Sequence, residues 1–165
     1  MSKQIQPNIR PPLKSSIRSI SVNKLIGIFA AVGYNTKMVK YYGPELVTNG
    51  DFSAGGGWAL GVGWVIGGGV LNVNALAGTF SQQPLPGIID GRRYRVSIKI
   101  LNNLGGNGRV FVAGEILDFG PDGNYNLEGV HVGADSSVYV QVYIDSNLQI
   151  DDVSVREITY IEKDE

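Results

Sequence analysis

The sequence predicts an all-β fold, a two-sheet antiparallel sandwich that follows an extended, partly ordered N-terminal arm. Two segments alternate apolar and polar residues with the period of two that a strand with one buried face requires. Turn-forming residues separate short apolar runs along most of the chain after residue 43. The 23 glycines among 165 residues are about twice the usual share, which favours many tight turns between short strands.

The alternating segments span residues 94–100 and 138–144. Their apolar faces are predicted to consist of Tyr94, Val96, Ile98 and Ile100 in the first segment and Val138, Val140, Val142 and Ile144 in the second. Further strands are predicted over residues 45–48, 64–66, 70–74, 78–83, 109–113, 115–118, 124–130 and 149–157. Short strands at this spacing indicate two packed antiparallel sheets.

The charge is divided unevenly along the chain. Residues 1–43 contain seven Lys or Arg and no acidic residue, a charge of +7, whereas the remaining 122 residues carry −8. We therefore predict a basic arm at 1–43, an acidic sandwich at 44–158 and an acidic tail at 159–165. The arm is either a solubilising tail or a segment that docks on an acidic surface, such as a neighbouring subunit or packaged nucleic acid.

An apolar run at residues 25–32 lies inside this arm. Leu25, Ile28, Phe29 and Val32 follow helical spacing, but apolar residues also occupy the opposite face, so the segment favours burial on several sides. It packs either on its own domain or, as we predict, against another chain in an assembly interface. Helix and strand both remain open for residues 17–42, because Gly27 and Gly33 disfavour a long helix.

A resemblance to known modules covers about two-thirds of the chain. The opening stretch Gly-Pro-Glu-Leu-Val-Thr-Asn-Gly-Asp-Phe-Ser at residues 43–53 is followed by a glycine run, Trp58 and Trp64, and an alternating strand closes the region at 150–158. This pair resembles carbohydrate-binding-module-like and galactose-binding-like jelly rolls, and more narrowly a module of tailed-phage structural proteins. The resemblance implies an antiparallel jelly-roll sandwich.

The phage resemblance implies a virion structural protein, displayed on the capsid, neck or tail and assembled in the host cytoplasm. Its partners would be sister subunits and other virion proteins, with no specific nucleic acid and no membrane, and we expect a homo-oligomer. The alternative is a carbohydrate-binding module for adsorption to cell-surface glycans. We expect no enzyme, because His131 is the only histidine and cysteine is absent.

The glycan alternative depends on aromatic side chains. The candidate ligand-binding residues are Trp58, Trp64, Tyr139, Gln141 and Tyr143. Sugar-binding modules place amide groups beside aromatic rings, and the last three of these residues line one face of a single strand. The other interpretation is that the tryptophans belong to the core and the tyrosines to sheet edges or subunit contacts.

One interpretation, which the jelly-roll resemblance implies, is a structural calcium ion near the junction of the terminal strands. The matching positions are Asp51 in the opening turn and Asp151 or Asp152 in the closing strand. Calcium prefers six to eight oxygen ligands. Because adjacent residues of a strand point to opposite faces, we expect at most one of Asp151 and Asp152 to bind it. The alternative is that these carboxylates cap turns or face solvent.

Overall fold

The computed structural model describes residues 36–112, 114–133 and 136–164, and these residues form ten β-strands. The strands are β1 (Thr36–Glu45), β2 (Trp64–Gly67), β3 (Val70–Ala75), β4 (Phe80–Pro84), β5 (Arg93–Gly105), β6 (Gly108–Val112), β7 (Glu115–Phe119), β8 (Gly123–Val130), β9 (Ser137–Val142) and β10 (Ser146–Asp164). None of the described residues forms a helix that is long and apolar enough to cross a membrane.

The strands form two sheets. A six-stranded sheet has the order β2-β3-β10-β5-β8, with β1 also paired to β10, and a four-stranded sheet has the order β4-β9-β6-β7. Every neighbouring pair from β2 to β10 is antiparallel. The predicted all-β, two-sheet antiparallel jelly-roll sandwich is therefore confirmed.

The core lies between the inward faces of the two sheets. In β5 the residues Tyr94, Val96, Ile98 and Ile100 are buried, as the alternation predicts. In β9 the valines at 138, 140 and 142 are buried as predicted. Ile144 is not, with 48 % of its surface exposed, because β9 ends at Val142 and the alternation ends with it.

The terminal strands extend beyond the limits that the sequence suggests. β1 begins at Thr36, before the predicted domain boundary at residue 44, and β10 continues to Asp164, past residue 158. The predicted strand at 45–48 is wrong, since β1 ends at Glu45 and a turn follows. The predicted interface residues Leu25, Ile28, Phe29 and Val32 lie outside the described residues, as does most of the predicted arm.

The side chain of Glu45 adds hydrogen bonds to the backbone pairing where β1 ends. Its Oε1 atom accepts hydrogen bonds from the backbone N–H groups of Leu46 and Val47, both at 3.1 Å. The same oxygen accepts a third from the N–H of Val155 in β10, at 2.8 Å. The N–H of Leu46 also donates to the backbone carbonyl of Val155 at 3.0 Å, so backbone pairing with β10 reaches Leu46 and the carboxylate adds to it. Glu45 thus joins the end of β1 to the closing strand.

The second oxygen of Glu45 completes this contact. Its Oε2 atom accepts hydrogen bonds from the hydroxyl of Ser154 at 2.5 Å and from Nε of Arg156 at 3.1 Å. Burial raises the pKa of Glu45, but the hydrogen bonds from Ser154, from backbone N–H groups including that of Val155, and from Arg156 together lower it more. The net pKa lies below its usual value, so the folded state favours the charged carboxylate.

The Asn49-Gly50 turn follows, and its glycine allows the turn to lie close to the backbone of β10. Asn49 takes the positive φ of 54°, while Gly50 is not among the positive-φ residues. A Cβ atom at Gly50 would lie 1.9 Å from the carbonyl oxygen of Val153, a distance that real Cβ atoms do not show. The turn therefore packs directly on β10, where the N–H of Val153 donates to the carbonyl of Gly50 at 2.9 Å.

Candidate ligand-binding face

The outward face of the four-stranded sheet carries an unusual concentration of aromatic and amide side chains. The strands β4, β9 and β6 alternate buried residues with partly exposed ones, so every second side chain points away from the core. We call this surface the aromatic face. Its members are Phe80, Gln82, Arg109, Phe111, Tyr139, Gln141 and Tyr143.

Tyr139 occupies the middle of the aromatic face, because β9 lies between β4 and β6. Its cross-strand partners are Gln82 on one side and Phe111 on the other. The ring of Phe80 meets the ring of Tyr139 edge to face, with centroids 6.0 Å apart and planes inclined at 63°. Phe80 keeps 44 % of its surface exposed. The rings therefore form a partly exposed aromatic group that packing already orders.

Arg109 is the charged residue of the aromatic face. Its guanidinium carbon lies 4.1 Å from the centroid of the Tyr143 ring and 5.2 Å from that of Phe111. Arg109 also forms an ion pair with Asp118 of β7 at 3.4 Å, and the Tyr143 hydroxyl contacts both charged groups. These contacts restrict the rotamers of Arg109 and Tyr143 and present fixed polar groups beside the rings.

A groove of about 420 Å³ adjoins this face at the edge formed by β4. Residues 59–62 form one wall, and Gly78, Thr79, Phe80 and Gln82 form the other. Phe80 and Gln82 belong to both the groove and the aromatic face. The groove therefore adjoins the aromatic face directly, through these two residues.

Backbone pairing fixes the wall of the groove against β4. Ala59 and Gln82 exchange two backbone hydrogen bonds, at 2.8 and 3.0 Å. Gly61 follows, where a Cβ atom would lie 2.2 Å from the carbonyl oxygen of Phe80. Only glycine lets the segment approach this closely. Leu60 and Val62 on the wall expose apolar side chains, 41 % and 86 % of their surfaces.

The predicted ligand residues divide into two groups. Tyr139, Gln141 and Tyr143 lie together on the aromatic face, on or directly after β9. Trp58 and Trp64 are buried in the core and present no ring face to a ligand, and this half of the predicted site is corrected accordingly.

The two tryptophans are held by ring packing and hydrogen bonds. Trp58 packs on Phe52, with ring centroids 5.5 Å apart, and its indole N–H donates to the carbonyl of Asn49 at 3.3 Å. The indole N–H of Trp64 donates to the hydroxyl of Thr79 at 3.0 Å. Both indole N–H groups thus have hydrogen-bond partners inside the fold. This agrees with the alternative interpretation that the two tryptophans belong to the core.

Four residues of the aromatic face were not predicted from the sequence: Phe80, Gln82, Arg109 and Phe111. The alternation that places each of them on an outward face is present in the predicted strands 78–83 and 109–113. What the sequence lacks is the order of the strands in the sheet. Phe111 faces Tyr139 only because β6 pairs with β9, and these strands are distant in the chain.

Asp51 and Asp152 of the predicted calcium site line one pocket, and Asp151 precedes Asp152 in β10, but the three do not form a metal-ligand group. The hydroxyl of Ser53 donates to Asp51 at 3.0 Å, which is the bonding of a turn-capping carboxylate. The Lys99 ammonium lies 3.4 Å from Asp151 and 3.6 Å from Asp152. In the described part of the chain no three Asp, Glu or His side chains are placed to hold a metal together. The calcium ion stays a prediction.

His131, the single histidine, follows β8 and is buried. Its ring meets that of Tyr94 edge to face, with centroids 6.5 Å apart. Its backbone N–H donates to the carbonyl of Arg92 at 2.8 Å. These contacts are those of a packed residue at a strand end.

No protein-family model and no curated protein sequence matches the chain. Twelve chains of solved structures match it. One of them, described as "CBM4 structure and function", is 14 % identical in sequence, with a TM-score of 0.49. The similarity covers 67 % of this chain and 99 % of that one.

Proposed function

We propose that the protein is a carbohydrate-binding module and that it binds glycans on the aromatic face. The observation that supports this proposal most directly is the position of Tyr139, which lies between Phe80 and Phe111 and beside the amides of Gln82 and Gln141. Binding sites typically combine aromatic contact area with a few fixed polar groups.

The chemistry of a sugar matches these groups. The C–H faces of a pyranose ring pack on aromatic rings, while its hydroxyls exchange hydrogen bonds with amides, which donate and accept. Gln141 and Gln82 supply such amides on either side of the Phe80 and Tyr139 rings. Since the groove continues from the face beside Phe80, we propose an extended chain of sugars as the ligand.

The test is a glycan array followed by calorimetry with the best polysaccharide. Tyr139→Ala and Phe80→Ala should each weaken binding about tenfold or more without lowering the melting temperature by more than a few degrees. The control is Tyr160→Ala, because Tyr160 is also exposed but lies on β10 of the other sheet. Unchanged affinity in both face variants, or no glycan bound at all, would contradict the proposal.

A second candidate function is the structural role in a tailed-phage virion, and the charge distribution favours it. Lys37 and Lys40 lie in β1, so residues 1–35 carry +5 of the +7 of the arm, and this charge would dock on the −8 of a neighbouring copy or on another acidic virion protein, in the capsid, neck or tail. Under this proposal the protein is a homo-oligomer of the virion. Both roles are compatible with a non-enzymatic chain.

Light scattering and a particle-incorporation assay test this second role. The full chain should associate, whereas a chain lacking residues 1–35 should remain monomeric and fail to incorporate. Phe29→Asp should have the same effect, because a charge is costly in an apolar contact. If the shortened chain were incorporated as well as the full chain, the arm would not be needed for assembly and this second role would be contradicted.

A further inference from the structure

The six-stranded sheet carries a separate pocket on its outward face, away from the aromatic face. Arg95 and Ser97 point outward here, because they alternate with the buried residues of β5. A cavity of about 200 Å³ opens between β1, β5 and β10. We call it the arginine pocket, and its lining residues are Tyr42, Arg95, Ser97, Ser154 and Arg156.

Strand register places like groups opposite each other in this pocket. Arg95 of β5 pairs with Arg156 of β10, and Ser97 pairs with Ser154. One extra residue in β10, in the irregularity that contains Asp152 at a φ of 51°, brings the strands into this register. Two cations directly opposite each other on antiparallel strands are destabilising unless a negative group compensates them.

The carboxylates near the pocket are already paired with other cations. Glu45 accepts a hydrogen bond from Nε of Arg156 at 3.1 Å. Glu128 forms an ion pair with Lys40 at 2.7 Å. Burial raises the pKa of Glu45, but its hydrogen bonds lower it below the usual value, and the bond from Lys40 chiefly lowers that of Glu128. Both acids are therefore charged at neutral pH and already bonded to a cation.

Arg95 has no such partner: among the described residues, no carboxylate lies within ion-pair distance of it. Its Nη1 atom donates to the hydroxyl of Tyr42 at 3.3 Å, and its guanidinium carbon lies 5.4 Å from the centroid of the Tyr42 ring. Glu128 lies opposite Arg95 on β8 and accepts a hydrogen bond from the same Tyr42 hydroxyl, but its ion pair is with Lys40. The three cations Lys40, Arg95 and Arg156 therefore face only two carboxylates, Glu45 and Glu128. The pocket thus keeps one positive charge in excess, with its donors held in place.

We infer that the arginine pocket binds a phosphate or sulfate group. A guanidinium has five N–H donors in a fixed plane that matches the oxygens of such an oxyanion. Arg95 uses one donor on Tyr42, and Arg156 uses one on Glu45, so both retain donors for a ligand. Ser97 pairs with Ser154 two residues from Arg95 on the same face, and its hydroxyl adds a neutral hydrogen-bond donor to the pocket. A bound oxyanion would compensate the opposed arginines.

The test is an NMR titration of the full chain with inorganic phosphate and with inorganic sulfate, against sodium chloride at matched ionic strength. Backbone N–H signals of Arg95, Ser97, Ser154 and Arg156 should shift saturably with the oxyanions. Arg95→Gln should weaken binding about tenfold or more. Arg95→Lys should also weaken it, because it keeps the charge but loses the planar fork.

Arg93→Gln is the matched control, since it removes the same charge from the same strand but does not line the pocket. It should bind like the parent chain. Equal loss in Arg93→Gln and Arg95→Gln, or the same shifts with chloride, would overturn the inference, because net charge alone would then explain binding. Glucose 6-phosphate and glucose 6-sulfate, each compared with glucose, identify the source of the group. Failure of both esters to bind also overturns the inference.

Discussion

The carboxylate of Glu45 accepts a 2.8 Å hydrogen bond from the backbone N–H of Val155, 110 residues further along the chain. This contact strengthens the pairing of β1 with β10, beside the backbone bond from the N–H of Leu46 to the carbonyl of Val155 at 3.0 Å. Because Glu45 also accepts hydrogen bonds from the N–H groups of Leu46 and Val47, a single side chain links the turn after β1 to the closing strand.

Glu45→Gln should therefore destabilise the fold by about 1.5–3 kcal/mol at neutral pH, the usual value of a hydrogen bond to a charged group. The folded-state pKa of Glu45 lies below its unfolded value near 4.5. Its stabilising contribution is present above that value and is lost as the pH falls through the lowered folded-state pKa. Urea unfolding between neutral pH and pH 3 measures both effects.

The variant should consequently show a weaker loss of stability with acid than the parent chain. Glu128→Gln is the control. The pKa of Glu128 is also lowered, chiefly by the hydrogen bond from Lys40, but among the residues that the structure describes its carboxylate is bonded only to exposed side chains and not to the backbone of another strand. Parallel pH profiles for Glu45→Gln and the parent would show that Glu45 does not couple folding to pH.

Trp64→Ala and Trp58→Ala should each lower the free energy of unfolding by about 3–5 kcal/mol, the usual cost of removing a large core ring. Both rings are buried and bonded through their indole N–H groups. Leu76→Ala, at a residue with 68 % of its surface exposed, should change the free energy by about 0.5 kcal/mol at most. Normal stability with lost polysaccharide affinity would instead make a tryptophan part of a binding site.

A chain lacking residues 1–35 should retain a strand-type circular dichroism spectrum and a cooperative melt, because the buried core extends from Val47 to Ile158 and β1 remains intact. The fragment 44–158, which the sequence suggests as the domain, should still fold but melt at a lower temperature. It lacks most of β1 and the end of β10. Equal melting temperatures for the two fragments would mean that β1 contributes no stability.

If Asp51, Asp151 and Asp152 cap turns or pair with Lys99, calcium should leave the melting temperature of the protein unchanged relative to a chelator. The Lys99 ammonium already lies within 3.4–3.6 Å of Asp151 and Asp152, and Asp51 accepts hydrogen bonds from Ser53. A bound ion would stabilise the fold by mass action. A calcium-dependent rise that Asp51→Asn abolishes would establish the structural calcium, with Asp90→Asn as a control away from these strands.

The alternation of residue types determines much of this protein by itself. It gives the all-β class, the inward faces of β5 and β9, and the outward position of Tyr139 and Gln141. The reason is local: a strand sends successive side chains to opposite faces, so a period of two in hydrophobicity marks the buried face without knowledge of any neighbour.

Only the tertiary structure decides which outward faces meet. Phe80 and Phe111 flank Tyr139 because β9 pairs with both β4 and β6, and Arg95 opposes Arg156 because β10 pairs with β5. It also decides that Trp58 and Trp64 face inward from segments with no regular alternation. The order of the strands follows from the packing of two whole sheets around one core. Contacts between strands that are distant in the chain leave no periodic pattern in the sequence.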